Sequence, residues 1–291
     1  MNEKKIYPIY FTFGALAIYL LFFILPGVIG IGYSFTDWTS YSKEIHFVGL
    51  ENFKTIFSGD EKYLFYIKNT IIFTFVTSVA KTVLGLALAV LLTQKLAGRN
   101  FHRAVLFLPS VLSMVTVGIV FKAVFEPDTG ILNVMLRALG LDFMAMKWLG
   151  DPNIAFGSVM AVDVWKGVGY IVTILIAGIQ SVDTTYYEAA DIDSANGFQK
   201  FRYITLPLIM PSLMVSTVLN VVYGLRAFDI IYVLTNGGPG YTTEVMGTAV
   251  LKEFSLGKYS TGTAISSIIF VFMALIGFFI IKLMSRNEVD E

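Results

Sequence analysis

Six apolar runs, each about as long as a bilayer core is thick, leave this chain few folds to choose from. A hydrocarbon core of about 30 Å takes roughly 20 residues of helix, and every backbone group inside it must find its partner within the protein. The runs lie at Ile9–Tyr33, Thr70–Thr93, Ala104–Phe125, Ile154–Gln180, Leu206–Leu234 and Thr263–Leu283. An all-α membrane protein with six transmembrane helices is expected. Composition agrees, since only 14% of the 291 residues are charged and mean hydropathy is +0.71, where a soluble domain carries about 25% charged residues. Pro26, Pro109 and Pro211 should kink or end their helices, and the small residues of Gly85-Leu86-Ala87-Leu88-Ala89 allow close helix contact.

The same composition excludes several functions. Formal net charge is zero and no long basic run occurs, so the footprint of a nucleic-acid binder is missing. Without cysteine there is no disulfide, thiolate metal site or thiol nucleophile, and His46 and His102 stand far apart. There is no Gly-x-x-x-x-Gly-Lys-Ser/Thr phosphate loop, no HExxH helix and no recognisable grouping of nucleophile, base and orienting residue. A non-catalytic chain is expected. The start Met-Asn-Glu-Lys-Lys leads into the first run with no obvious small-residue cleavage site, so an uncleaved first span is expected.

Lysine and arginine in short loops set orientation. Lys4 and Lys5, then Lys95, Arg99 and Arg103, then Lys200 and Arg202, then Lys282 and Arg286 fall on one side. The opposite loops carry most acids: Asp37, Glu44, Glu51, Asp60, Glu61, Glu126, Asp128, Asp142, Asp151, Glu244 and Glu253. Both termini are therefore expected in the cytoplasm. The outer loops also hold Trp38, Tyr41, Phe47, Phe53, Phe57, Tyr63 and Trp148, residue types that anchor at a membrane interface. No repeat of 20 to 50 residues is visible.

The connection between the fourth and fifth runs, Ser181 to Pro211, is unlike an ordinary loop. Asp183 or Thr184 can cap a helix, Glu188 sits in its first turns, and Ala189, Ala190, Ile192 and Ala195 make a small, weakly apolar face. Gly197 and Pro207 interrupt it before the next run. Such a face suits either docking of a partner or lying on the membrane surface.

The order Glu188-Ala189-Ala190, three residues, Ser194, nine residues, then Ile204-Thr205-Leu206-Pro207 resembles the cytoplasmic signature of permease subunits of binding-protein-dependent ATP-binding-cassette importers. The family's usual glycine falls on Ser194, with Gly197 three residues later, which allows the turn there a different place or shape. Phe47-Val48-Gly49-Leu50-Glu51-Asn52-Phe53, Asn69-Thr70, Phe107-Leu108-Pro109 and Leu234-Thr235-Asn236-Gly237-Gly238-Pro239-Gly240 resemble the carbohydrate-uptake branch, more narrowly its maltose-type first permease subunit. The chain looks shorter than the enterobacterial form, keeping the common six-span core.

The resemblance implies a single transmembrane permease domain over residues 1–291 with its core at 70–283, in a bacterial cytoplasmic (inner) membrane. It makes the Ser181 to Pro211 segment a cytoplasmic coupling helix, with Glu188, Ala189, Ala190, Asp193, Ser194, Ala195 and Gly197 facing an ATPase. Partners would be a second, different permease subunit, two ATP-binding-cassette ATPase subunits that hold ATP and Mg, and an extracytoplasmic sugar-binding protein, with no cofactor on this chain.

Polar groups inside a bilayer usually face a cavity or one another. Lys81, Lys122, Asp163, Lys166, Arg226 and Asp229 fall within the runs. Lys166 and Tyr170 share a helix face, and so do Asn220, Tyr223 and Ala227 in the fifth run. Rings with hydrogen-bonding groups suit a sugar. By register with the maltose-type family, sugar-contacting positions fall on Trp165, Lys166, Gly167 and Tyr170, and on Asn220, Tyr223, Gly224 and Ala227. Lys166 faces an anionic solute or snorkels to an interface. Arg226 and Asp229, three apart, are expected to form an internal ion pair rather than bind solute. The competing function is a self-sufficient secondary transporter or channel, though two related halves with matching interrupted helices are not visible.

Overall fold

The computed structural model describes residues 10–59, 61–94 and 96–284. Lys4, Lys5, Asp60, Lys95 and Arg286, used above for orientation, lie outside them, as does the N-terminal segment read for a leader. The described residues form helices and contain no strand beyond one isolated bridge, Thr36 to Phe47. In chain order the helices are α1 (Tyr10–Tyr19), α2 (Leu25–Tyr33), α3 (Glu51–Lys54), α4 (Glu61–Thr93) and α5 (Arg99–Val111). There follow α6 (Met114–Val124), α7 (Ile131–Ala138), α8 (Ala155–Ser181), α9 (Thr184–Ile192) and α10 (Gly197–Lys200). The last are α11 (Leu206–Leu208), α12 (Met210–Leu225), α13 (Asp229–Leu234), α14 (Met246–Ser255) and α15 (Tyr259–Met284).

Among the described residues, four helical stretches are long and apolar enough to cross a membrane: Thr12–Tyr33, Glu61–Thr93, Ala155–Ser181 and Tyr259–Leu283. Two further crossings exist if each bent pair is one span, α5 with α6 at 98° and Gly197–Leu208 with α12 at 70°. Each bend has a proline beside it. Pro109 lies inside α5 just before its end, and Pro211 lies in the first turn of α12. Pro26 behaves differently: one π-helical turn, Leu20–Ile24, precedes it, and the run continues to Tyr33. A locally widened turn gives room for a ring that cannot donate backward.

The chain divides into two compact units. In the first, residues up to Glu61 with Ala249–Ile268, Trp38 packs between Tyr33 and Tyr259, with ring centroids at 4.3 and 4.8 Å. The Asn52 side chain donates to the Ser34 and Thr36 carbonyls at 2.9 and 2.8 Å. Of the aromatic residues read as interface anchors, Trp38 is thus engaged with other rings, whereas Tyr41 and Phe47 are exposed.

In the second unit, Lys62–Thr248 with the chain from Ile269, one apolar cluster joins Phe73, Val117, Val159, Val162, Ile231 and Leu234. Another joins Ala89, Leu92, Ile171, Val172 and Leu175. Threonines of α4 satisfy themselves inside the helix: the hydroxyls of Thr70, Thr74 and Thr77 donate to the carbonyls four residues back at 2.7 to 2.8 Å. The Asn69-Thr70 pair also anchors the stretch after α13. Asn69 donates to the Thr242 and Glu244 carbonyls at 3.0 and 2.9 Å, and the Met246 N–H donates to the Thr70 hydroxyl at 2.9 Å. Gly169 lets α8 touch α5, since a Cβ there would collide with the Leu106 carbonyl oxygen.

Candidate functional site: a charged cavity and a capped surface helix

A cavity of about 490 Å³ opens among α4, α5, α6, α8 and α12. Its polar lining is Lys81 from α4, Ser110 from α5, Asp163, Lys166 and Tyr170 from α8, and Asn220 and Tyr223 from α12. Lys81 and Asp163 are almost fully buried, their side chains 3% and 1% exposed, and form an ion pair at 2.5 Å. Neither Asp163 oxygen accepts a further hydrogen bond among the described residues, so Lys81 is its counter-charge. Gly167 makes this possible, because a Cβ there would lie 2.8 Å from Lys81 Cε. The Lys81 ammonium also sits 5.0 Å from the centre of the Tyr223 ring.

The bend between α5 and α6 shapes the opposite wall. Leu112 and Ser113 are extended, which ends the helical hydrogen bonding after Val111. Ser110 then meets Lys166 twice: its hydroxyl donates to the Lys166 carbonyl at 2.9 Å, and the Lys166 ammonium donates to its carbonyl at 3.4 Å. Non-helical backbone inside a bilayer is tolerated where protein buries it or it lines a cavity, and Ser110, Val111 and Met114 on either side of the break line this one.

The structure gathers Lys166, Gly167, Tyr170, Asn220 and Tyr223 around one space. It takes Trp165, Gly224 and Ala227 elsewhere. Trp165 packs edge-on to Phe121 at 5.1 Å, and Gly224 is buried where a Cβ would lie 2.8 Å from Thr74 Cα. Ala227 lies beyond the end of α12 at Leu225. It is buried in the Phe73 cluster and shares the lining of a different cavity, of about 340 Å³, with Tyr223, Arg226 and Asp229. The expected Arg226–Asp229 ion pair does not form. Spacing of three brings side chains together only within a continuous helix, and here one helix stops before Arg226 and the next begins at Asp229. The Lys81–Asp163 pair was not legible in advance: both residues stood out as intramembrane charges, but nothing local links them.

The second candidate surface is α9. Asp183 is its N-cap, accepting from the Thr185 N–H at 2.9 Å. That hydrogen bond holds the Asp183 carboxyl below the usual carboxylate range. The cap is therefore in place above the ordinary aspartate range and is lost as pH falls through the lowered value. At the far end the Ala195 N–H bonds to the Ala190 carbonyl at 2.9 Å and the Ser194 N–H to the Asp191 carbonyl at 3.0 Å. This is a Schellman closure with Ser194 left-handed at φ +57°. The turn thus sits on Ser194 itself. Gly197 carries no positive φ and instead opens α10, behind an Asn196/Gln199 capping box. Tyr187 hydrogen-bonds Thr205 at 2.9 Å, and Lys200 pairs with Asp191, which hold α9 against the following segment. Ala190 is buried, while Glu188, Ala189, Asp193 and Ser194 are exposed and Ile192 is 85% exposed.

A serine in the left-handed region costs roughly 1 kcal/mol relative to glycine. Ser194→Gly should therefore slow amide exchange at residues 194 and 195 by about fivefold. Unchanged or faster exchange would contradict this closure.

Bent helix pairs around a cavity, with an exposed capped helix between them in the chain, describe a multi-pass membrane protein. The chain belongs to the family of binding-protein-dependent transport system inner membrane components, whose model matches residues 81–287. It is 36% identical over 262 residues to the trehalose/maltose transport system permease protein MalF of Thermococcus litoralis, covering 88% of this chain and 86% of that one. It is 35% identical over 275 residues to the multiple sugar-binding transport system permease protein MsmF of Streptococcus mutans, covering 94% and 93%. Among solved structures it is similar to a bacterial ABC transporter that imports the acidic polysaccharide alginate, with TM-score 0.83, 25% identity, and 96% and 95% of the two chains covered. Another structure of such an alginate transporter, in complex with an alginate pentasaccharide-bound periplasmic protein, matches equally well, with TM-score 0.83.

Proposed function

We propose that this chain is one membrane-spanning half-pore of a binding-protein-dependent, ATP-driven sugar importer. The observation that carries the reading is family membership over most of the chain, joined to relatives named for trehalose, maltose and multiple-sugar transport. In this reading residues 1–291 are one permease domain with core 70–283, each bent pair is one span, six helices cross the membrane, and both termini are cytoplasmic. The 490 Å³ cavity is part of the solute path, lined by Lys166, Gly167, Tyr170, Asn220 and Tyr223. Trp165, Gly224 and Ala227 shape it from behind.

Helix α9 acts as the coupling helix. Glu188, Ala189, Asp193 and Ser194 meet the ATPase, Ala190 and Ala195 pack beneath them, and Gly197 starts the return to the membrane. Its rigid caps and exposed Ile192 support that role. Hydrolysis, with ATP and Mg, belongs to two separate ATPase subunits, a second permease completes the pore, and an extracytoplasmic protein delivers the sugar.

The test is purification of the tagged chain from its own membranes in mild detergent, with mass spectrometry and an ATPase assay on the eluate. Co-purification of an ATPase and a second permease is expected, with hydrolysis stimulated by a sugar-loaded binding protein. A chain that purifies alone and still moves solute in liposomes would overturn the proposal in favour of a secondary transporter.

A further inference from the structure

The charges around the large cavity do not cancel. Its ionisable side chains are Lys81, Lys166 and Asp163, together with the phenols of Tyr170 and Tyr223, and Asp163 is committed to Lys81 at 2.5 Å. Lys166 is left as the uncompensated cation. Among the described residues, the only hydrogen bond its ammonium makes is the 3.4 Å contact to the Ser110 carbonyl, and an ammonium has three donors. A lone cation at membrane depth is costly unless an anion or water meets it. Beside it stand Tyr170 and Tyr223, whose rings are about half exposed. Asn220 spends its Nδ2 on Thr82 at 3.3 Å, leaving its carbonyl oxygen to accept from a hydroxyl.

We propose that this cavity takes a carbohydrate bearing an anionic group, a carboxylate or a phosphate, with Lys166 as the cation that meets it. The tyrosine rings stack against the sugar face, and the Asn220 carbonyl oxygen accepts from a ring hydroxyl. Lys81 and Asp163 form the polar floor, with their charges already matched. The proposal rests on the half-pore reading and narrows its substrate class.

The chain has no cysteine, so Val111→Cys places its one thiol in the cavity wall. In native membranes, this thiol is treated with negatively charged sulfonatoethyl and positively charged trimethylammonioethyl methanethiosulfonate. Each rate is divided by the rate on a free model thiol, and labelling is read by the mass of this chain. The anionic reagent is expected to be favoured about 10-fold, with the preference abolished by Lys166→Met and kept in Lys122→Met, whose lysine lies outside the lining. Trigalacturonate and glucose 6-phosphate should then protect the thiol at about tenfold lower concentration than maltotriose, a difference that Lys166→Met removes. Equal protection by maltotriose, or no preference for the anionic reagent, overturns the proposal. Protection by inorganic phosphate as strong as by the acidic sugars overturns its carbohydrate part. The half-pore reading stands or falls on co-purification instead, which this labelling does not use, so the two failures are distinguishable.

Discussion

Asp163→Asn should lower the thermal midpoint of the purified protein by roughly 6–20 °C, and Lys81→Met should do the same. Removing one member of a buried ion pair strands the other charge, which costs about 3–5 kcal/mol, and in a chain of this size each kcal/mol moves the midpoint by about 2–4 °C. The cost should sit at the upper end, because Asp163 accepts no other hydrogen bond among the described residues and both side chains are almost fully buried. The double variant Lys81→Met/Asp163→Leu should recover most of the loss, since an apolar pair of similar volume removes both desolvation penalties. Thermal unfolding of the four proteins in one detergent is the measurement. If the single variants melt with the parent, or the double variant melts as low as the sum of the singles, the pair does not hold α4 to α8.

A bulky residue on α9 should damage transport without damaging the fold. Ala189 and Glu188 are exposed on a helix whose caps do not involve their side chains. Ala189→Trp or Glu188→Trp should therefore leave the thermal midpoint within about 2 °C, as exposed substitutions away from caps and cores generally do. In a packed interface with an ATPase, the extra volume costs about 1–3 kcal/mol, or about 5- to 150-fold in seating. Sugar uptake in proteoliposomes is expected to fall by that factor, and the ATP consumed per sugar imported is expected to rise. Uptake equal to the parent in both variants would remove α9 from the coupling role.

Much of the architecture is readable from residue order because the solvent is so demanding. A run such as Ile154–Gln180 has one way to satisfy its backbone in hydrocarbon, and α8, Ala155–Ser181, follows it closely. Other boundaries follow packing instead. The helix read from Thr70 begins at Glu61. The runs Ala104–Phe125 and Leu206–Leu234 each contain breaks, at Leu112–Ser113 and between Leu225 and Asp229, that a hydropathy average over about 20 residues does not register, because apolar residues flank them on both sides. The Arg226–Asp229 pair was misplaced for that reason: helical spacing was applied across a point where the helix had ended.

The candidate site divides the same way. The spacing of Lys166 and Tyr170, and of Asn220 and Tyr223, lies within single continuous helices, so their shared faces are local properties. That the two faces meet around one cavity depends on close approaches at Gly169 and Gly224, where backbone contacts leave no room for a side chain.

Residue order alone thus determined the all-α membrane class and the position of the capped helix after Ser181, because bilayer thickness, helix period and capping chemistry act over short stretches of chain, and it indicated the family through the resemblance of the motif from Glu188 to Pro207. Tertiary structure alone decided which charges are matched. Lys81 and Asp163 are partners because α4 and α8 pack with Gly167 facing the Lys81 stem, and Lys166 is left over because Asp163 is already engaged. Coulomb energy depends on distance in space and on burial, and neither is written along the chain.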